Sequence, residues 1–226
     1  MRTKGLRGSG SGPVASALTR PDDAVLGGDE PADGRAARSF RTRRAIIDAM
    51  RALHAEGDLR PTAPRIAERA GVSLRTVWQQ FTDRDELLAE AIRRDLEIML
   101  SLVQKIEPGQ PLGARIESFV GQRTRVLEEM TPSWRAARVH EPFSLPLRRN
   151  RVRIIARAKA ELEKVFAPEL VALCGKKRQQ VVDTLHAISL WEFWESLRSD
   201  LGLGPQQARD LVSSTFAMLL TQAAAA

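Results

Sequence analysis

The sequence predicts an all-α protein, and three observations carry that expectation. Apolar residues recur at helical spacing in one segment after another, from Ile46 to Leu219. Gly57, Gly71, the run Glu107-Pro108-Gly109-Gln110-Pro111 and the group Gly202, Gly204, Pro205 punctuate those segments. Finally, the stretch TAPRIAERAGVSLRTVWQQF, from Thr62 to Phe81, reads as two short helices set at a steep angle around Gly71. The architecture expected is an N-terminal three-helix helix-turn-helix DNA-binding domain followed by a larger helical regulatory and dimerisation domain.

Taken in order, residues 1 to about 37 are rich in Gly, Ser, Pro, Asp and Ala without periodicity, and are expected to be disordered. Arg35, Arg38, Arg41, Arg43 and Arg44 end this tail. They form either an arm that follows phosphates or a minor groove, or a solvated basic lead-in to the first helix. That helix is expected from about Ser39 to Ala55, burying Ile46, Ile47, Met50 and Leu53, with His54 as a surface or capping residue and Gly57 as its stop. Thr62 is placed to cap the second helix. Pro64 falls in its first turn, where a missing N–H costs little, and Gly71 supplies a left-handed end. Ser73 caps the third helix, Val77 and Phe81 face inward, and Arg75, Thr76, Gln79 and Gln80 are left outward. Those four are side chains suited to base edges and phosphates. A fourth helix follows Thr82-Asp83 and reaches about Gln104, long enough to link head and body.

The body is expected to hold a helix from Leu112 to about Met130, a short one from Trp134 to His140, and another from Leu147 to Phe166. Arg148, Arg149, Arg151, Arg153 and Arg157 open the last of these and read as a solvated face rather than a nucleic-acid patch. A long helix from Lys176 to Leu203 and a final one from Gln206 to about Gln222 complete the set. The domains expected are 1–37 disordered, 38–95 DNA-binding, and 96–226 ligand-binding and dimerising.

The run from Arg41 to Leu96, and above all IAERAGVSLRTVWQQFTDRDELLAEAI from Ile66 to Ile92, resembles the DNA-binding domain of the TetR (tetracycline-repressor-like) family of bacterial transcriptional regulators. The resemblance implies a regulator that contacts duplex DNA through Thr62, Ser73, Arg75, Thr76, Trp78, Gln79, Gln80 and Arg84. The family usually has Tyr at the place of Trp78, often His at that of Gln80, and commonly Lys at that of Arg84. The operator sequence therefore does not follow from the resemblance. WEFWESLRSDLGLGPQQARDLV, more weakly, resembles the family's last two helices. These imply a homodimer, with Leu185, Ile188, Val212, Phe216 and Leu219 as its interface. The intervening helices imply a small-molecule effector held by residues such as Phe119, Arg123, Trp134, His140, Phe143, His186 and Trp194.

Composition sets the remaining bounds. The chain has 226 residues, 43% hydrophobic and 28% charged, enough for a real core. Its net charge is +7 and its pI near 10.4, which favours an anionic partner. Charge alone does not point to the head, because residues 41–95 hold eleven arginines against nine acidic residues, a net of +2. A lone Cys174, beside Gly175 at a helix end, is expected to be a small buried residue; it excludes internal disulfides and suits a reducing cytoplasm. No apolar run approaches the roughly 20 residues of a membrane span, and the basic, glycine-rich start lacks a signal core. His54, His140 and His186 have no metal-ligand spacing, and no phosphate loop, nucleophile elbow or paired-Cys motif is present. No metal, cofactor or catalytic residue is therefore expected. The function expected is an operator-binding repressor released by a small molecule; the alternative is a helical adaptor that binds RNA or protein without operator specificity.

Overall fold

The computed structural model describes residues 34–224, and among them every regular element is helical. The order is α1 (Gly34–Ala55), α2 (Ala63–Ala70), α3 (Leu74–Gln80), α4 (Arg84–Ser101), α5 (Leu112–His140), α6 (Leu145–Val165), α7 (Ala167–Leu170), α8 (Gly175–Ile188), α9 (Trp191–Glu195) and α10 (Pro205–Ala224). A 3-10 turn at Glu141–Phe143 separates α5 from α6, and a π-helical turn at Ser196–Asp200 extends α9. The expected disorder of residues 1–33 lies outside the described residues. Residues 34–37 are already helical, so α1 begins five residues before Ser39 and carries the arginines from Arg35 to Arg44 on a helix.

Two separate apolar clusters form. The head cluster joins Ile46, Ile47, Met50 and Leu53 of α1 to Ile66 and Ala67 of α2, Val77 of α3, Phe81, and Leu87 and Ala91 of α4. The body cluster begins at Ile106 and is centred on Phe119, Phe166 and Phe216, whose ring centroids lie 5.4–5.7 Å apart. Helix α4 leaves the head cluster at Ala91 and runs on to Ser101, so it crosses the expected boundary at residue 95.

Two of the expected body helices, and the place of Cys174, differ from expectation. Helix α5 does not stop near Met130; it continues for 29 residues through Pro132. Pro132 removes one N–H, leaving the Glu128 carbonyl without its usual donor, while the Thr131 hydroxyl bonds the Leu127 carbonyl at 2.6 Å. Burial of Met130, Ser133 and Ala136 on either side of the proline holds the helix to one course. The expected long helix from Lys176 to Leu203 is broken instead. Leu190 is extended, and the Ser189 hydroxyl takes up the His186 carbonyl at 2.8 Å. Cys174 is exposed and precedes the first turn of α8, so it is not the buried residue expected.

Arg115 ties the body together near the start of α5. Only 3% exposed, it donates to the Gln110 carbonyl (2.8 Å), the Val165 carbonyl (2.8 Å) and, as a fork, to the Glu169 carboxylate (2.7 Å on one arm). No helix among the described residues is long and apolar enough to cross a membrane.

Candidate DNA-reading surface and ligand cavities

The head builds its reading surface from local rules. Gly71 adopts φ 67°, the left-handed geometry that lets α2 end in one residue, and its N–H caps the Ala67 and Glu68 carbonyls. Ser73 caps α3 by accepting from the Thr76 N–H at 3.0 Å, and Val77 and Phe81 anchor the helix at 0% and 1% exposure. Leu74, Arg75, Trp78 and Gln79 are consequently exposed. Arg84 starts α4, and among the described residues neither Arg75 nor Arg84 has an ion-pair partner.

Other expected DNA contacts are already committed within the head. The Gln80 side chain accepts from the Ser39 hydroxyl at 2.9 Å, and its carbonyl accepts from Arg43, so Gln80 turns towards α1 rather than outward. The Thr76 hydroxyl is shared with Ser73 at 2.8 Å. Thr62 makes no side-chain cap and stays exposed, contrary to expectation. Arg43 belongs to no arm: it stacks 4.3 Å over Phe81 and pairs with Glu86 at 2.6 Å, locking α1 to α4.

The head meets the body where α1, α4 and α5 converge. Arg51 donates to Asp95 at 2.9 Å and to Glu129 at 3.2 Å, while Ser133 donates to the same Asp95 oxygen at 3.2 Å. Burial lifts the Asp95 carboxyl above its ordinary range, against the pull of Arg51 and Ser133. Beside this tie lies a cleft of about 400 Å³, lined by Met50, His54, Trp78, Arg84, Leu88, His140 and Phe143 among others. His54 is not the surface residue expected, for its Nδ1 is buried without a partner. Burial, and then the charge of His140, bring His54 down to about 4; burial, and then Arg84, also hold His140 low.

That depression has a definite sign. Free imidazole titrates near 6.5, so below that pH the unfolded chain takes up a proton that the folded head refuses. His54 should thus cost the folded state about 1–2 kcal/mol as pH falls from 6.5 towards 4, after allowance for its partial exposure, and nothing above 6.5. Asp95 acts in the opposite sense, because a raised carboxyl favours the folded state on acidification. The measurement is the difference in urea midpoint between the native chain and His54→Gln at pH 7 and pH 5. The gap should shift in favour of the glutamine at the lower pH, and a constant gap rejects the assignment.

A second cavity, about 90 Å³, lies in the body between α5, α6 and the α8–α9 junction. Leu127, Ala137, Ile154, Ile155 and Ala158 form most of its wall; Trp134 and Trp191 meet edge to face there with centroids 6.3 Å apart. At its rim Arg138 and Arg151 alternate with Glu141 and Glu192, at distances of 2.7–3.7 Å. Burial alone would raise Glu192, but the Arg151 hydrogen bond and the two arginine charges bring it below the ordinary carboxylate range.

The structure divides the seven expected effector residues. Arg123 and Trp134 line the body cavity, and Phe119 lies under the Arg123 guanidinium at 5.5 Å. His186 is buried within electrostatic reach of Arg123. His140 and Phe143 belong instead to the head–body cleft, and Phe143 is 86% exposed. Trp194 is in the body core and donates its Nε1 to Glu128 at 2.7 Å. Sequence reasoning missed Trp191 and the Glu141–Glu192 rim. The i, i+3 spacing of Arg138 and Glu141 was a readable signal, whereas Arg151 and Glu192 meet only through the fold.

The expected interface residues differ in exposure. Leu185, Val212 and Phe216 are 0–3% exposed inside the chain's own core, so they have no surface to offer a partner. Ile188 and Leu219 are half-buried, and the exposed apolar residues on α10 are Leu211 and Met218.

Comparison with known proteins agrees with the geometry of the head. Residues 46–91 match the family model for bacterial regulatory proteins, tetR family. A solved transcriptional regulator from Rhodococcus sp. Rha1 shares the fold, with a TM-score of 0.63 at 19% identity, covering 82% of this chain and 97% of that one. No curated protein matches significantly. Over residues 46–91 the head is thus similar to the helix-turn-helix domain of the tetR-family bacterial regulators, and the solved regulator shares the helical fold.

Proposed function

We propose that the chain is a repressor that binds a palindromic operator as a homodimer and is released by a small molecule held in the body. The observation that carries the reading is the outward face of α3, where Leu74, Arg75, Trp78 and Gln79 stand clear of a head core closed by Val77 and Phe81. A seven-residue helix that exposes a leucine and a tryptophan beside an unpaired arginine is shaped for a major groove, whose base edges and thymine methyls take such side chains. A rigid adaptor would need no such exposed pair on so short an element.

The other end of the chain supports dimerisation. Leu211, Thr215 and Met218 recur at helical spacing along α10, next to the exposed Thr184 and Ala187 and the half-buried Ile188 of α8. Two such helix pairs face to face make a self-complementary four-helix interface. Release by a ligand is supported by the body cavity and by α5, which runs from that cavity to the tie at Asp95.

Operator selection from random duplexes tests the whole. Selected sites should be inverted repeats with half-site centres ~34–36 Å apart or a multiple of it. Leu211→Arg and Met218→Arg should weaken dimerisation about tenfold or more, ~1.4 kcal/mol, with loss of palindrome preference and intact heads. Phe216→Asp, by contrast, should unfold the body outright, because its site lies in the core of one chain. A native chain that sediments as a monomer at micromolar concentration and still binds a palindrome tightly would refute the dimer.

A further inference from the structure

We propose that the body cavity binds a small carboxylate, its charge held by Arg123 and its short apolar part set against Trp134 and Trp191. The proposal rests on the cavity being an effector site and names the chemistry of the effector.

Arg115 and Arg123 lie eight residues apart on α5, and their surroundings differ sharply. Arg115 spends its donors on two carbonyls and a carboxylate. Arg123 is half-buried, its Nε is enclosed without a hydrogen-bond partner, and no ion pair forms around it among the described residues. The guanidinium lies 5.5 Å over the face of Phe119, a far weaker partner than a carboxylate. Glu161 faces it from α6 without reaching ion-pair distance, and burial depresses the Arg123 pKa against that attraction. His186 of α8 stands nearby with neither ring nitrogen partnered, so it adds an unfilled polar site and no negative charge.

The remaining charges at the cavity cancel. Arg138 and Arg151 at the rim are matched by Glu141 and Glu192, which leaves one unmet positive charge, on Arg123. A guanidinium fork is complementary to a planar, singly charged carboxylate, and a protein pocket of this kind is otherwise apolar. Size narrows the class further. The cavity, about 90 Å³, opens at its rim, so a short branched aliphatic acid can seat its carboxylate inside and leave part of its chain at the mouth.

The test titrates the full-length native chain with isovalerate and with isovaleramide at fixed ionic strength, following tryptophan fluorescence. Isovalerate should give a saturable change, and isovaleramide should bind about tenfold more weakly or less. Arg123→Met should weaken isovalerate about tenfold and make the two probes equal, with its helical circular dichroism unchanged. Glu161→Gln, which removes the one carboxylate facing Arg123, should tighten isovalerate severalfold, a result that mere damage to folding does not produce. Equal binding of acid and amide, indifference to Arg123→Met, or no saturable change at millimolar acid overturns the proposal. Charge-dependent binding that leaves operator affinity untouched upholds the ligand class and defeats the effector role. Release of DNA by the amide as well as the acid upholds the effector role and defeats the charge assignment.

Discussion

Arg115→Ala is expected to cost about 3–5 kcal/mol of folding stability, the usual penalty for removing one partner of a buried ion pair. The change strands the Glu169 carboxylate, 11% exposed, and leaves the Val165 and Gln110 carbonyls without their donor. These groups lie on three segments: the lead-in to α5, the end of α6 and α7. The loss therefore falls on the junction of the body core and not on one helix. For a chain of this length the thermal midpoint should drop by roughly 6–20 °C. Arg115→Lys should recover little, since an ammonium cannot reproduce the fork. The double change Arg115→Met, Glu169→Leu should recover most of it, because a buried pair replaced whole by apolar side chains is often neutral. A drop of less than a kilocalorie in the single variant would mean that Glu169 finds water once the arginine is gone.

The other large effect lies at the DNA. Replacing both Arg75 and Gln79 by alanine should bring affinity for the selected operator down towards that for random duplex, a range that for such regulators spans about 10³–10⁷. Arg75→Ala alone should account for about 1–3 kcal/mol of it if the guanidinium reads a guanine. Arg84→Ala should behave differently, weakening every sequence alike and flattening the salt dependence by about one unit, as loss of a phosphate contact does. Gln80→Ala should act through the Ser39 bond between α1 and α3, lowering head stability more than sequence preference. Competition binding with operator and scrambled duplex at several salt concentrations separates these cases. Equal loss on both duplexes for the Arg75, Gln79 pair would reject α3 as the reader.

The head was readable because its signals are local. Gly71, Ser73 and the spacing of Ile66, Val77 and Phe81 each act within a few residues, and the structure places all of them as their chemistry requires. Gln80 was not readable, because its direction is decided by Ser39, forty-one residues away. In the body, apolar periodicity told which faces of α8 and α10 are buried but not what buries them. Leu185 and Phe216 are covered by their own chain, while Leu211 and Met218 remain in the open. Pro132 signalled a break that packing overrode, and Ser189-Leu190 broke a helix where no proline or glycine marked it. Aromatic and histidine residues marked no single place: Phe119, His186 and Trp194 are buried in the body, while Phe143 is 86% exposed. Only Arg123 and Trp134 of the seven reach the body cavity.

Helix α5 also has a mechanical consequence. Seventeen residues separate Arg123 from His140, a span of ~25 Å at 1.5 Å per residue. The body cavity runs along this whole span, from Arg123 and Leu127 to Ala137 and Arg138, and a tilt of about 5° about Arg123 would carry His140 through ~2 Å, the scale of interface helix shifts in switching proteins. Such a lever transmits force only if it is stiff, and Pro132 is its soft joint, one hydrogen bond short of a full ladder. Arg51 grips Glu129 just before that joint, and Asp95 grips Ser133 just after it. The head thus splints the weak point of the rod that moves it. With the splint in place a ligand-driven tilt would pass Pro132 with little loss; without it the missing hydrogen bond would let the helix bend there.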